Sequence, residues 1–248
     1  MGFCESMSYI GEKKLKDYPG PLDKEKLKRI GEQMEKTICK IKSKNGSSGT
    51  GFFCEIPFPD NLNLLPVLIT NYHVLGDEDV KSGNIINISI DDDKYKYEIN
   101  INNTKKIYLD ETTDISIIEI KNKCNLENVS FLEIDNNILD INKIEELKGI
   151  SIYLLHYPNG DKIETSLGVL KNISEKYDII HFCETRAGSS GGPILNLTNY
   201  KVIGIHKGAS ETGNYNIGAI ISRPIANFYE DFMTFREEKN KVKEFKEL

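Results

Sequence analysis

Three residue types that together can cleave an acyl bond lie next to strand-like runs in this chain. Ser190 is in the small-residue segment Thr185–Pro193, His73 follows an apolar run, and Asp114 precedes another. A serine hydroxyl is a weak nucleophile until a neighbouring base takes its proton; histidine can do so near neutral pH, and a carboxylate fixes the histidine tautomer. The glycines around Ser190 leave backbone N–H groups free to face one point, as an oxyanion hole requires. These residues predict acyl-transfer chemistry.

A second sequence motif overlaps Ser190. Gly188–Gly192 fits G-x-S-x-G, the nucleophile elbow of α/β-hydrolases, which needs a strand–turn–helix and the chain order Ser, acid, His. Here a strand-like run follows Ser190, and the only later His, His206, precedes the only later Asp, Asp231. The chain order therefore excludes the hydrolase elbow.

The order His, Asp, Ser is satisfied, with one alternative for the acid. Asp110 lies four residues before Asp114. Asp114 is favoured because the apolar run Ile115–Ile120 begins directly after it, and Asp110 is then a turn residue. We predict His73, Asp114 and Ser190 as the catalytic group.

Composition narrows the class of protein without naming its activity. The 248 residues carry a formal charge of -6 and 39% hydrophobic residues, typical of one or two globular domains. The acidic balance argues against a nucleic-acid partner, and no apolar run is long enough to span a bilayer. The five cysteines and the lack of an apolar leader predict a reducing, cytoplasmic location. No metal or other cofactor is expected, since the spacing of His156, His181 and Cys183 does not indicate a zinc site.

Short runs rich in β-branched and aromatic residues predict an all-β protein in two halves. The first half spans 37–120 and the second 149–222, with a polar linker over 121–148. Residues 1–36 form an arm and a helix capped by Asp23, with apolar positions at Leu27, Ile30, Met34 and Ile38. Residues 223–248 read as an amphipathic helix with Ile225, Phe228, Phe232 and Phe235 on one stripe.

The chain resembles the chymotrypsin-like serine peptidases, in particular their intracellular, disulfide-free branch. The motifs are T-x-x-H ending at His73, D-[IV]-[AS] beginning at Asp114, and G-x-S-G-G-P around Ser190. The resemblance covers 37–222 and implies two antiparallel six-stranded β-barrels with the site in the cleft between them. It also implies that His73 is the general base, Asp114 orients it, Ser190 attacks, and the amides of Gly188 and Ser190 form the oxyanion hole.

One position departs from the secreted members of that family. They usually carry an aspartate just before the catalytic serine, where it pairs with a new N-terminus formed by cleavage. This chain has Ser189 there. Activation by insertion of a new N-terminus is therefore not expected.

The pocket for the residue preceding the cleaved bond (P1) is predicted from two residues. Thr185 and His206 are placed as in bacterial glutamyl endopeptidases and viral chymotrypsin-like cysteine proteases, in which Thr and His bond a P1 Glu or Gln. This resemblance implies a P1 Glu or Gln. Glu184 is the open alternative: if it faced inward, the preference would change to Lys or Arg. Neighbouring side chains of an extended segment point to opposite sides, so Glu184 and Thr185 should not both enter the pocket.

The predicted function is a serine endopeptidase that acts on protein or peptide substrates through an acyl-enzyme. The alternative is a peptide-binding or scaffold module that keeps the fold without turnover. The start of the chain adds a hypothesis of membrane association, because Met1–Ser6 matches the myristoylation pattern M-G-x-x-x-[ST]. Gly2 would carry the acyl group and Cys4 a second one. The sequence leaves the oligomeric state open.

Overall fold

The computed structural model describes residues 18–42, 48–60, 62–102, 105–121, 126–174 and 176–244. The helices and strands in chain order are α1 (Lys24–Lys36), β1 (Ile38–Lys42), β2 (Ser48–Pro57), β3 (Leu64–Thr70), β4 (Ile85–Ile90), β5 (Tyr95–Asn100), β6 (Ile107–Asp110), β7 (Ile115–Glu119), β8 (Leu132–Glu133), β9 (Ser151–His156), β10 (Glu164–Ile173), β11 (Asp178–His181), β12 (Pro193–Asn196), β13 (Val202–Ala209), β14 (Asn216–Ile220) and α2 (Ser222–Glu244). Short 3₁₀ turns cover Asn136–Leu139, Ile141–Leu147 and Pro158–Gly160.

The first half is an eight-stranded sheet rather than a closed six-stranded barrel. Seven strands pair in the order β5-β4-β1-β2-β3-β7-β6, all antiparallel. The eighth, β8, comes from the predicted linker and pairs parallel with β2 through Cys54 and Leu132. A two-residue strand is too short to give a recognisable sequence pattern. The sequence of the linker therefore predicts only a polar connection.

The second half is a closed barrel of six strands in the order β10-β11-β14-β13-β12-β9. Its strands carry fully buried aliphatic side chains that belong to the hydrophobic core, such as Leu154, Ile194 and Ile205. The predicted all-β chymotrypsin-like fold is therefore confirmed, with a six-stranded second barrel and a helix at each end.

The two helices pack at the ends of the described chain. Asp23 caps α1 as predicted, since its carboxylate accepts the N–H of Lys26 at 2.9 Å. Ile38 was wrongly placed on this helix: α1 ends at Lys36, and Ile38 begins β1. The β-branched run that follows favours the strand. Only Ile30 is buried on α1.

Helix α2 lies against the first half of the molecule. Phe228 is fully buried, and its ring packs edge-on against Phe58 at 5.5 Å between centroids. Phe232 contacts the same two rings. Neither helix has the length and apolar character that crossing a bilayer would require. Gly2 and Cys4 lie outside the described residues, so acylation at this end stays a prediction.

Candidate active site

His73 and Asp114 are brought together by the loops that follow β3 and precede β7. The Nδ1 of His73 lies 2.8 Å from Oδ2 of Asp114, and the backbone N–H of His73 donates to Oδ1 at 3.0 Å. Asn71 donates to the Asp114 carbonyl at 2.8 Å, which holds the carboxylate-bearing loop against β3. The His73 side chain is 50% exposed and that of Asp114 only 18%. The imidazole is therefore anchored from its inner side and open on the other.

Asp110, the alternative acid, lies elsewhere in the same turn. Its Oδ1 accepts the N–H groups of Thr112 and Thr113, and its Oδ2 accepts the Tyr108 hydroxyl. These hydrogen bonds close the turn that leads to β7, and they hold the pKa of Asp110 below its ordinary value although partial burial opposes this. Asp110 has the structural role of a turn residue, and the residue that touches His73 is Asp114.

Ser190 lies at the other side of the cleft, between β11 and β12. Its hydroxyl donates to the carbonyl of Lys207 at 3.0 Å, and within the described residues no hydrogen bond joins it to His73. Lys207 is at a bulge, because the pairing of β13 with β14 skips from His206 to Gly208. The bulge leaves the Lys207 carbonyl free to take the serine hydroxyl. Ser190 is thus held in a resting orientation.

The amides of Gly188 and Ser190 have no acceptor in the described part of the protein. The carbonyl of Ala187 accepts the N–H of Asn159 at 2.5 Å, and the carbonyl of Ser189 accepts the N–H of Gly192 at 3.1 Å. A trans peptide is planar, with N–H and C=O on opposite sides, so the next N–H in each case points the other way. Among the described residues neither amide donates to a protein acceptor. Backbone N–H groups without a protein acceptor are the kind of donor that an oxyanion hole needs.

Thr50, which the sequence did not indicate, joins the first half to the serine loop. Its N–H donates to the Ser190 carbonyl at 2.8 Å, and its hydroxyl donates to the Gly188 carbonyl at 2.8 Å. The same hydroxyl accepts the N–H of Tyr157 at 3.0 Å, and its carbonyl accepts the Thr70 hydroxyl at 2.7 Å. This fully buried threonine therefore sets where the serine loop lies relative to β3. Its contacts span more than a hundred residues of chain, which a local pattern does not reveal.

His206 is buried on β13 and is held through its backbone and its Nδ1. Its backbone exchanges hydrogen bonds with the serine loop, to the N–H of Gly191 and the carbonyl of Gly192. Its Nδ1 lies 3.2 Å from Nε2 of His181, and Nδ1 of His181 accepts the N–H of Cys183 at 3.3 Å. Because a backbone N–H can only donate, neutral His181 carries its proton on Nε2. This Nε2–H donates a hydrogen bond to Nδ1 of His206. His206 then carries its own proton on Nε2.

Thr185 and His206, predicted to share one pocket, make no hydrogen bond to each other in the described structure. Thr185 lines a cavity of about 70 Å³ with His156 and Arg186, among others. Glu184 also lines this cavity, and 79% of its side chain is exposed, where it pairs with Arg186 at 3.2 Å. Both neighbouring residues therefore border the cavity, unlike the arrangement expected for an extended segment.

The three buried histidines predict acid-sensitive stability. Burial lowers the pKa of His156 and His181 to about 4 and that of His206 well below its usual value; Arg186 adds to the effect at His156, while Glu184 opposes it. In the unfolded chain these groups take up protons near pH 6.5, so stability is lost as the pH falls below that value. Between pH 7 and 5 we expect the free energy of unfolding to drop by about 2 kcal/mol per histidine.

Urea unfolding at pH 7 and pH 5 measures this loss. His181→Gln, which has no titrating ring, should lose less stability over the same interval than the wild-type protein. Equal losses in the two proteins would contradict the assignment of His181 to this effect.

The parts of the chain that the structure describes contain potential metal ligands and free thiols. In those parts of the chain no group of three or more His, Cys, Asp or Glu is placed to hold an ion. Cys39, Cys54 and Cys183 are free and buried, and burial raises the pKa of the Cys183 thiol to about 12. A thiol that stays protonated is a poor nucleophile.

Comparison with known families assigns the chain to a class. Residues 49–205 match the family described as "Trypsin-like peptidase domain". The match spans more than half of the chain and includes His73, Asp114 and Ser190. The chain belongs to the trypsin-like peptidase domain family, and it is a serine endopeptidase.

Solved structures show the same fold at low sequence identity. The serine endoprotease from Yersinia pestis is similar with a TM-score of 0.59 and 15% identity, over 86% of this chain and 68% of that chain. The active form of the Rv3671c protease from M. tuberculosis has a TM-score of 0.58 and 17% identity, over 87% and 89%. Deg5 has a TM-score of 0.56 and 19% identity, over 83% and 94%. A search of curated proteins gave no significant match.

Proposed function

We propose that this endopeptidase cleaves peptide bonds with Ser190 as nucleophile, His73 as general base and Asp114 as the group that orients the base. The observation that carries the proposal is the double contact of the Asp114 carboxylate with the ring Nδ1 and the backbone N–H of His73. A carboxylate at Nδ1 keeps the proton there and leaves Nε2 as the acceptor. The base is therefore prepared before substrate arrives.

The chemical step begins when the Ser190 hydroxyl leaves the Lys207 carbonyl and donates to Nε2 of His73. The hydroxyl oxygen attacks the substrate carbonyl carbon, and its proton passes to the imidazole. The negative charge that forms on the carbonyl oxygen is stabilised by the amides of Gly188 and Ser190. The imidazolium then gives its proton to the leaving amine, and an acyl-enzyme remains. A water activated through His73 hydrolyses this ester and restores the serine.

For P1 we propose glutamine or glutamate, with glutamine preferred. His181 occupies Nδ1 of His206, so Nε2–H is the group that His206 has left for a substrate. Burial lowers the pKa of His206 and keeps it neutral, and a neutral donor suits an amide oxygen better than a carboxylate, whose charge would have to be desolvated. The exposure of Glu184 and the pairing of its carboxylate with Arg186 support this choice against Lys or Arg.

Digestion of a peptide library tests the preference. We expect cleavage after Gln to exceed cleavage after Leu by about 100-fold, and cleavage after Glu to lie about tenfold below Gln. Thr185→Val, which keeps the shape and removes the hydroxyl, should slow cleavage after Gln about tenfold and leave cleavage after Leu unchanged. Cleavage mainly after Lys or Arg would contradict the proposal.

A further inference from the structure

A buried contact between His156 and Ser189 lies directly behind the nucleophile and has no part in the chemistry described above. Nδ1 of His156 is 2.7 Å from Oγ of Ser189, and the same Oγ accepts the N–H of Arg186 at 3.0 Å. His156 is 2% exposed and Ser189 is fully buried. Neither group can exchange this contact for bulk water, so its geometry is set by the protein alone.

The direction of the hydrogen bond follows from the partners of Ser189. Its oxygen already accepts from Arg186, and within the described residues its hydroxyl hydrogen has one acceptor, Nδ1 of His156. If Ser189 donates, Nε2–H of His156 is the one group left without a partner, whereas the reverse direction leaves both the serine hydroxyl hydrogen and Nε2 unpaired. Ser189 therefore donates, and neutral His156 carries its proton on Nε2. That Nε2 is buried and has no protein partner among the described atoms, and His156 is one of the residues that line the cavity of about 70 Å³.

This contact governs the two amides that form the oxyanion hole. Ser189 lies between Gly188 and Ser190, and its N–H closes a turn onto the carbonyl of Arg186 at 3.1 Å. Turning the Ser189 side chain away would release this turn, and with it the peptide plane that directs the Ser190 N–H. In secreted members of the resembling family the residue at this place is an aspartate held by a new N-terminus. Here the partner is a histidine from β9.

We propose that His156 is a positioning residue that holds the oxyanion-hole loop in its catalytic conformation by accepting the Ser189 hydroxyl. The loop is therefore set without a newly formed N-terminus. This inference rests on the proposed function, because the loop matters to catalysis only if Ser190 is the nucleophile. It predicts that the loss of His156 or Ser189 lowers kcat and leaves substrate binding nearly intact.

Four variants of the full chain test the proposal with a small ester substrate. His156→Leu removes the acceptor at similar volume, and Ser189→Ala removes the donor; each should lower kcat about 100-fold with KM changed less than about threefold. His156→Asn places an amide oxygen near the position of Nδ1 and should stay within about tenfold of wild type. The double variant His156→Leu/Ser189→Ala should have a kcat no lower than that of the slower single variant, since the two substitutions remove the same hydrogen bond.

Ser151→Ala is the matched control. It also deletes a hydroxyl on β9 that accepts a backbone N–H, that of Gly20 at 2.9 Å, at the far end of the strand from His156. Its kcat should equal that of wild type. If His156→Leu does not fold, the kcat values of Ser189→Ala and His156→Asn test the proposal. A Ser189→Ala protein with wild-type kcat, or a His156→Asn protein as slow as Ser189→Ala, would overturn the proposal.

A second readout is independent of activity. The ¹⁵N shifts of His156 distinguish the two neutral tautomers, and we expect the proton on Nε2 in wild type and redistribution toward Nδ1 in Ser189→Ala. A proton on Nδ1 in the wild-type protein would overturn the proposal. A wild-type protein that fails to hydrolyse the ester would contradict the proposed function instead, and the tautomer would then decide the role of His156 alone.

Discussion

Ser190→Ala is expected to slow ester and peptide hydrolysis by about a million-fold in kcat. The variant keeps the two oxyanion amides and the His73–Asp114 pair but has no oxygen to form the acyl-enzyme. What activity remains comes from binding and from the oxyanion hole acting on a water molecule. Initial rates with a fluorogenic ester measure the effect.

The fold should tolerate this change. The Ser190 hydroxyl makes one hydrogen bond, to the Lys207 carbonyl, so the melting temperature should stay within a few degrees of wild type. A folded Ser190→Ala protein with more than about one per cent of wild-type kcat would contradict the role of Ser190 as nucleophile.

Gly191→Ala is expected to have the largest effect on stability. Gly191 has φ +89°, and an added Cβ would lie 1.9 Å from the Thr50 carbonyl oxygen and 2.6 Å from the Thr70 hydroxyl. The first of these contacts is with backbone, which cannot turn aside as a side chain can. The serine loop would have to move away from β2 and β3, and we expect the free energy of unfolding to fall by about 4 kcal/mol or more.

Gly213→Ala separates the clash from the backbone strain. Gly213 also has a positive φ, +69°, but an added Cβ there would meet no atom within 4 Å. This control should lose only about 1 kcal/mol. Urea unfolding of both variants tests the difference, and a Gly191→Ala protein as stable as Gly213→Ala would contradict the close approach of the two halves at Thr50.

The side chains of the site were predictable where chemistry and local pattern coincide. Asp114 directly precedes β7, while His73 lies in the turn after β3 and Ser190 in the loop before β12. Their order along the chain is the one that the motif requires. Asp114 is favoured over Asp110 because a strand begins right after it, and of these two carboxylates Asp114 is the one that contacts His73.

The groups that position these side chains were not predictable. Local pattern does not reveal the contacts of His156 and Thr50, because their partners come from distant parts of the chain. Ser189 was noticed only as a departure from an expected aspartate. Which buried donor meets which acceptor depends on the packing of two sheets, and no local periodicity encodes it.

The same reasoning applies to the fold. Long alternating strands were recognisable, whereas β8 has two residues and depends on its neighbour β2 for its backbone hydrogen bonds. Ile38 fits the helical spacing of α1 but begins a strand. At this position a helical and a strand pattern overlap, and pairing with neighbouring strands decides that the residue belongs to β1.

Labelling with a fluorophosphonate tests the central claim most directly, because the reagent reacts with a serine only when a base activates it. We expect one label per wild-type chain, on Ser190, none in Ser190→Ala, and a rate at least about a thousand times lower in His73→Ala. Absence of label on folded wild-type protein, or a label on another serine, would contradict the account of His73, Asp114 and Ser190 as one catalytic unit.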